Sequence, residues 1–155
     1  MILNFIIISI IIIIDQISKF LIEKKFIDIN TIPVIKDFFH LTYVKNRGVA
    51  FGFFYGHVYI FVFIALVAII GMILYLHKKN EEHSIYSRVG FIFILGGAIG
   101  NLIDRAFRGY VVDFIDFRGI WPYIFNVADV AINIGVILIL LEYFVEKEKI
   151  SKEEK

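Results

Sequence analysis

Acidic and amide side chains in the second half of the chain have the types and spacing that suggest chemistry. Asp129 lies near the start of an apolar stretch, and Asn126 and Asn133 flank it at helical spacings of three and four. A charged residue inside a membrane span costs about 2.5 to 3.5 kcal/mol on insertion scales, so a retained carboxyl group usually faces protein or water and has a function. We therefore predict a functional role for Asp129, with a buried packing role as the alternative.

A partner for this carboxyl group is offered by the segment 111–117, in which Asp113 and Asp116 lie three residues apart in an aromatic setting. Two carboxyl groups in one site can divide the roles of general acid and general base, because they do not both ionise readily. The residue types leave open which of the two aspartates takes part. A solvated carboxylate pair on an amphipathic loop is the alternative.

The stretch 96–105 ends in polar residues and contains two small residues four apart, Gly96 and Gly100. Small residues at this spacing let two helices approach closely. Asn101, Asp104 and Arg105 follow at the expected membrane boundary, and Arg105 is expected to pair with Asp104 or with a lipid phosphate. A tight helix contact with a polar cap and a role in supporting a site explain this stretch equally well.

Two weaker motifs lie in the first half of the chain. The small residues between Asn46 and Gly52 suit a tight turn that approaches an extended peptide, although a simple loop is the more economical interpretation. Asp15 and Lys19 lie four apart in the favourable order for an ion pair on a helix, and we interpret them as structural.

Other catalytic chemistries find little support in the sequence. The chain has no cysteine, which excludes disulfides, cysteine-ligated zinc and a thiol nucleophile. Its four histidines have no metal-ligand spacing, and no Gly-x-Ser-x-Gly motif is present. We therefore expect neither a metal nor an organic cofactor.

The elements that must position these residues are membrane helices. Of the 155 residues, 59% are apolar, and the mean hydropathy of +0.81 is that of a membrane protein. The net charge of +1 provides no basic surface for nucleic acid. Four stretches approach the roughly 20 apolar residues that a spanning helix needs. They are Ile2 to Ile22, Val58 to Leu76, Val89 to Ile103 and Asn126 to Val145.

We predict one all-α polytopic membrane domain, residues 1–155, with a small β-sheet outside the bilayer. Four spans place both termini on one side and the connections 23–57 and 104–125 together on the other, where the polar motifs meet. The first connection has the composition of a sheet, and the second is expected to be a loop or a short helix. The density of Lys and Arg favours cytoplasmic termini, so both connections would be extracytoplasmic.

Five motifs on this four-span chain carry a resemblance to a known family. The motifs are Asp15-Gln16-Ile17-Ser18-Lys19, the turn from Asn46 to Gly52, Gly100-Asn101-Leu102-Ile103-Asp104-Arg105, Val111-Val112-Asp113-Phe114-Ile115 and Phe125-Asn126-Val127-Ala128-Asp129. In this order they resemble the lipoprotein signal peptidases, also called signal peptidase II, a family of membrane aspartyl proteases. Val49 stands where alanine is more usual in that family, which enlarges the turn without removing a reacting group.

The resemblance implies that Asp113 and Asp129 are the catalytic residues, and so favours Asp113 over Asp116. The residues that it implies surround or support the site are Asn46, Gly48, Asn101, Asp104, Arg105, Asn126 and Ala128.

The activity implied is that of an aspartyl endopeptidase without metal or cofactor, in the bacterial cytoplasmic (inner) membrane with its site toward the outer face. It would remove the signal peptide of a diacylglyceryl-modified prolipoprotein by cleaving before the lipidated cysteine. The partners expected are this substrate and membrane lipid, with the chain a monomer and no nucleic acid bound. The alternatives are a small polar-lined membrane transporter or channel and a non-enzymatic scaffold.

Overall fold

The computed structural model of the protein describes residues 2–26, 29–48, 58–78 and 84–153. Within these ranges the elements, in chain order, are α1 (Ile2–Lys25), β1 (Thr31–Ile35), β2 (Phe39–Asn46), α2 (Val58–Lys78), α3 (Ile85–Phe107), β3 (Val111–Phe117) and α4 (Val127–Glu153). The predicted turn from Asn46 to Gly52 lies outside these ranges beyond Gly48, and so does Val49.

The four predicted spans are confirmed as helices, and each helix is long and apolar enough to cross a membrane. Large apolar side chains are exposed along α1, α2 and α4, among them Phe5 and Tyr59 with 67% and 86% of their surface accessible. Such surfaces are unfavourable in water but match the hydrocarbon core of a bilayer. The chain is a multi-pass membrane protein.

Helix α3 is the centre of the bundle, because it packs against α1, α2 and α4. The predicted close approach at Gly96 and Gly100 is confirmed. A Cβ atom at Gly96 would lie 2.9 Å from Cβ of Ile11, and one at Gly100 would lie 2.7 Å from Oδ2 of Asp15. These two glycines therefore allow α1 to lie directly against α3.

The predicted sheet is confirmed, and it has three antiparallel strands in the order β1-β2-β3. Strand β3 differs from the sequence-based expectation, because the second connection was expected to form a loop or a short helix. Its residues instead pair with β2, from Phe39 opposite Phe117 to Asn46 opposite Val111. The reason is non-local: β3 gains its hydrogen bonds and its buried face from segments far away in the chain.

A small core fixes the sheet on the end of the helix bundle. Val112 and Phe114 of β3 pack against Ile22 and Phe26, at the carboxyl end of α1. After β3 the chain returns, and Phe125 forms a bridge to Ile115 on the same strand. This bridge places the start of α4 beside β3, where the polar residues lie close together.

Candidate active site

Asp113 lies in β3 and is held by two asparagine side chains. Only 3% of its surface is exposed. Nδ2 of Asn46 donates to its Oδ2 at 2.8 Å, and Nδ2 of Asn126 donates to its Oδ1 at 2.6 Å. Strand register explains the first contact: Val44 lies opposite Asp113, so Asn46 is the diagonal neighbour on the same face of the sheet.

Asp129 lies in the first turn of α4, as the sequence predicted. Its backbone N–H donates to Oδ1 of Asn126 at 3.0 Å, and the backbone N–H of Asn126 donates to Oδ2 of Asp129 at 3.2 Å. This reciprocal pair is a capping box, which satisfies N–H groups that the first turn of a helix leaves without partners. The cap that starts α4 therefore also fixes the carboxyl group of Asp129.

The orientation of all three asparagine amides follows from donors that contact their oxygens. The oxygen of Asn46 accepts from the backbone N–H of Gly48 at 3.0 Å, and the oxygen of Asn126 accepts from the N–H of Asp129. The oxygen of Asn101 accepts from the ammonium group of Lys19 at 3.0 Å. Because each oxygen faces an obligate donor, each NH2 group must face a carboxyl oxygen.

Each carboxyl oxygen of Asp113 and Asp129 accordingly accepts one N–H. Asn101 supplies the last of these bonds, from its Nδ2 to Oδ1 of Asp129 at 2.8 Å. Asn126 contacts both aspartates, through its side chain and its backbone. The two carboxyl groups are thus attached to one residue.

Both aspartates line a cavity of about 1060 Å³ at the end of the bundle that carries the sheet. Its walls come from α2, α3, α4, β3, the end of β2 and the segment between β3 and α4. Besides the aspartates, its lining includes Val44, Asn46, Gly48, Ala65, Ala98, Asn101, Arg105, Trp121, Tyr123, Phe125, Ile132 and Asn133. Asp116 is bonded elsewhere, to Thr42 at 2.7 Å and to Arg118 at 3.3 Å. Of the two aspartates that composition left open, Asp113 is the one beside Asp129.

The environment of Asp113 raises the pKa of its carboxyl group from 3.8 to about 7. Burial is the largest cause, and the negative charge of Asp129 is the next. The amide donors of Asn46 and Asn126 and the charge of Lys19 act in the opposite direction. Near neutral pH this carboxyl group therefore exists in both its protonated and its ionised form.

A fully buried ion cluster lies behind the cavity. The predicted ion pair of Asp15 and Lys19 is confirmed at 2.8 Å, and Asp104 joins it at 2.9 Å from the ammonium group. Oδ1 of Asp15 accepts from the backbone N–H of Ala128 at 2.9 Å, which fastens α1 to the start of α4. Sequence reasoning found the ion pair but missed the contact of Lys19 with Asn101.

Asp104 and Arg105 have different surroundings, although they are neighbours in the chain. Asp104 is buried, accepts from the backbone N–H of Val112 at 3.2 Å and forms its ion pairs with Lys19 and Arg108. Arg105 lines the cavity and donates to the carbonyl oxygen of Asn101 at 3.4 Å. The structure thus replaces the expected pairing of Arg105 with Asp104, because adjacent residues of a helix do not face each other.

Three further residues of the polar network were given no role from the sequence, although Gln16 stands in one of the family motifs. Gln16 donates to Asp104 at 3.0 Å, and Arg108 donates to Gln16 at 3.0 Å and to Glu23 at 3.1 Å. Helical spacing was the available signal, since Glu23 follows Lys19 by four residues and Arg108 follows Asp104 by four.

The fold and the site define a multi-pass membrane protein that holds two carboxyl groups, linked by amides, in a cavity at one end of its helix bundle. The family model described as signal peptidase (SPase) II matches residues 7–145. The chain belongs to this family and is therefore a peptidase, a hydrolase of peptide bonds.

Relatives from several bacteria agree with this membership. The chain is 54% identical to a lipoprotein signal peptidase of Fusobacterium nucleatum over 86% of its length and 81% of the relative. It is 45% identical to one of Halothermothrix orenii over 94% of its length and 97% of the relative.

A solved structure described as a bacterial membrane enzyme superimposes with a TM-score of 0.85 at 32% identity, covering 94% of this chain and 90% of the other. These comparisons confirm the resemblance that the motifs carried. They favour a peptidase over the transporter or channel considered as an alternative.

Proposed function

We propose that the chain is an aspartyl endopeptidase in which Asp113 and Asp129 hydrolyse the signal peptide bond of a diacylglyceryl-modified prolipoprotein, just before the lipidated cysteine. The relatives are lipoprotein signal peptidases, which supports this substrate class. The catalytic type and the residue assignment rest on the site itself.

One observation carries the assignment: Asp113 and Asp129 share Asn126 as a hydrogen-bond partner and line the same cavity. Two carboxyl groups so arranged share one proton and titrate as a coupled unit, because the charge of one disfavours ionisation of the other. The raised pKa of Asp113, in which the charge of Asp129 is a cause, is the electrostatic sign of this coupling.

The ionised carboxylate accepts a proton from a water molecule as the water oxygen attacks the carbonyl carbon of the scissile bond. The protonated carboxyl group donates a hydrogen bond to the carbonyl oxygen, where negative charge develops. Collapse of the tetrahedral intermediate breaks the C–N bond, and a proton passes to the leaving amine. The products are the carboxylate of the signal peptide and the free amino group of the lipidated cysteine.

The supporting residues position these two groups. Asn46, Asn101 and Asn126 orient both carboxyl groups without adding charge. Ala128 fastens α4 through Asp15, and Gly48 fixes the amide of Asn46. Asp104 anchors β3 through Val112.

The substrate approaches from the membrane, with its signal helix against the spans and its lipid in the bilayer. The apolar wall of the cavity, which includes Ala65, Ala98 and Ile132, suits the small and apolar residues of a signal peptide. The segments 44–48 and 121–125 flank the aspartates and can hold an extended peptide between them. The enzyme acts as a monomer.

The site faces the outer side of the bacterial cytoplasmic membrane, with both termini in the cytoplasm. Four spans place residues 23–57 and 104–125 on one side, and the higher density of Lys and Arg in the terminal segments favours the cytoplasm for the other.

Asparagine substitution tests the assignment, because it keeps the size of aspartate and one of its two accepted hydrogen bonds but cannot supply or accept the catalytic proton. We expect Asp113→Asn and Asp129→Asn each to lower kcat by about 10⁴-fold or more toward a diacylglyceryl-modified prolipoprotein in detergent. Asp116→Asn is the matched control, since Asp116 lies on the same strand outside the cavity lining, and it should retain activity.

Thermal unfolding in detergent separates catalysis from folding. Asp113→Asn should stay folded at pH 8, because removal of a buried charge and of its repulsion with Asp129 offsets the loss of one of the two hydrogen bonds that Asp113 accepts. Substantial activity in either variant of the pair, with the fold intact, would refute the two-aspartate mechanism.

A further inference from the structure

Lys19 is buried and lies outside the cavity lining. Its ammonium group donates to Asp15 at 2.8 Å and to Asn101 at 3.0 Å, and it forms an ion pair with Asp104 at 2.9 Å. A buried ion cluster is seldom more stabilising than a well-packed apolar one. The role of this cluster therefore lies in how it positions the side chains that contact it.

We propose that Lys19 is a positioning residue for the catalytic pair, which fixes the amide of Asn101 so that its NH2 group holds Oδ1 of Asp129 in place. The proposal rests on the proposed function and assigns its two roles: Asp129 is the base, and Asp113 is the acid.

The first step is the direction of the Asn101 amide. An ammonium group can only donate, so the atom of Asn101 that contacts it must be the oxygen. The NH2 group then faces Oδ1 of Asp129, at 2.8 Å. A flipped amide would set its oxygen against the carboxylate and its NH2 against the ammonium group, two repulsive contacts in place of two attractive ones.

The second step is the difference between the two aspartates. Asp129 lies at the positive end of the α4 dipole and accepts a backbone N–H, and the charge of Arg105 interacts with it more strongly than with Asp113. Asp113 is nearly inaccessible, and among the described residues only neutral asparagine amides donate to it. The raised pKa of Asp113 agrees with this division. The other charged groups around the pair are Lys45 and Arg47 at the end of β2, Arg105 on α3, and the cluster of Asp15, Lys19 and Asp104.

The double variant Asp15→Asn/Lys19→Met tests this role. It removes one negative and one positive charge, and Asp104 remains paired with Arg108. Asparagine at position 15 can still accept from Ala128. The matched control is Glu23→Gln/Arg108→Gln, which removes the ion pairs of Arg108 with Glu23 and Asp104 at equal net charge and leaves Lys19 on Asn101.

We expect the test variant to lose about 10- to 100-fold in kcat, with KM changed less than about 3-fold, because only the reacting geometry is affected. The alkaline limb of its pH–kcat profile should move to higher pH, since the charge of Lys19 lowers the pKa of Asp113 and is lost in this variant. The control should keep kcat within about 3-fold and an unshifted profile. A folded test variant with the kcat and pH profile of the parent protein would overturn the proposal.

Infrared spectroscopy locates the proton without any assay of activity. At pH 6 the parent protein should show a protonated-carboxyl band that disappears in Asp113→Asn. If that band survives in Asp113→Asn and is lost only in Asp129→Asn, the assignment of the proton is wrong. The aspartate variants are assayed separately, and retained activity in them would refute the proposed function. A fully active Asp15→Asn/Lys19→Met variant, together with inactive aspartate variants, would refute this inference alone.

Discussion

Gly97 sets the distance between α3 and α4, and replacing it with alanine tests whether that distance controls the site. A Cβ atom at this position would lie 2.3 Å from the carbonyl oxygen of Ala128 and 2.8 Å from Cγ1 of Ile132. The nearest obstacle is backbone, so no side-chain rotation can relieve the contact. Gly97→Ala must therefore push the two helices apart.

The size of the shift follows from these distances. Ordinary van der Waals contact begins near 3.4 Å, so the helices must separate by about 1 Å at this point. Asn101 lies one turn further along α3, and Ala128 precedes Asp129. A shift of this size would lengthen the Asn101–Asp129 hydrogen bond from 2.8 Å to about 3.8 Å, beyond hydrogen-bond range.

We expect Gly97→Ala to lower the free energy of unfolding by about 1 to 3 kcal/mol, the usual cost of overpacking, and kcat by about 100-fold. Thermal unfolding and cleavage of a lipidated prolipoprotein, both in detergent, measure the two effects.

Gly71→Ala is the matched control, because no atom of the described residues lies within 4 Å of the Cβ atom it would add. It should be neutral or slightly stabilising, since alanine favours helix. Parent-like activity and stability in Gly97→Ala, or equal damage in Gly71→Ala, would show that close helix packing does not control the site.

Three more predictions follow from the site and its helices. In the proposed mechanism Asp113 must donate a proton, so activity should fall as pH rises through about 7, the pKa of its carboxyl group. Asn46→Ala should move this alkaline limb of the pH–kcat profile to higher pH, because the hydrogen bond from Asn46 lowers that pKa. An alkaline limb that stays in place would contradict the role of Asp113. Asn126→Ala removes the α4 cap and a hydrogen bond to Asp113. We expect the free energy of unfolding to fall by about 1 to 2 kcal/mol and kcat to fall at least 100-fold. If the role of Asn126 is purely structural, kcat of the folded fraction will be unchanged. Ser84→Ala removes the α3 cap, in which the side-chain oxygen of Ser84 accepts from the N–H of Ser87 at 3.2 Å. It should lower the free energy of unfolding by about 1 kcal/mol and leave kcat unchanged, because this cap lies at the opposite end of α3 from the cavity. A large loss of activity would indicate coupling along the helix.

The sequence by itself determined the helices and the inventory of polar groups. The length of an apolar stretch is a local property, so the four spans were predictable from composition. The even number of spans also predicted that the polar motifs lie at the same end of the helix bundle. The ion pair of Asp15 and Lys19 and the close approach at Gly96 and Gly100 were equally local, because fixed helical spacings produce them.

Only the tertiary structure distinguished residues with similar local patterns. Asp113 and Asp116 have nearly the same neighbours in sequence, and pairing with β2 in one register puts Asp113 beside Asn46 while Asp116 bonds to Thr42. That register depends on hydrogen bonds between segments some 70 residues apart, which no local pattern encodes. The family motifs favoured Asp113, but residue types alone did not.

Lys19 shows the same limit most clearly. Its ion pair within α1 was visible in the spacing, yet its contact with Asn101 joins two helices 82 residues apart in sequence. Spacing along one helix predicts which side chains share a face, whereas the packing of helices decides what that face meets. The reacting residues could thus be named from the sequence, but the amides and the buried cation that orient them became apparent only when the helices were brought together.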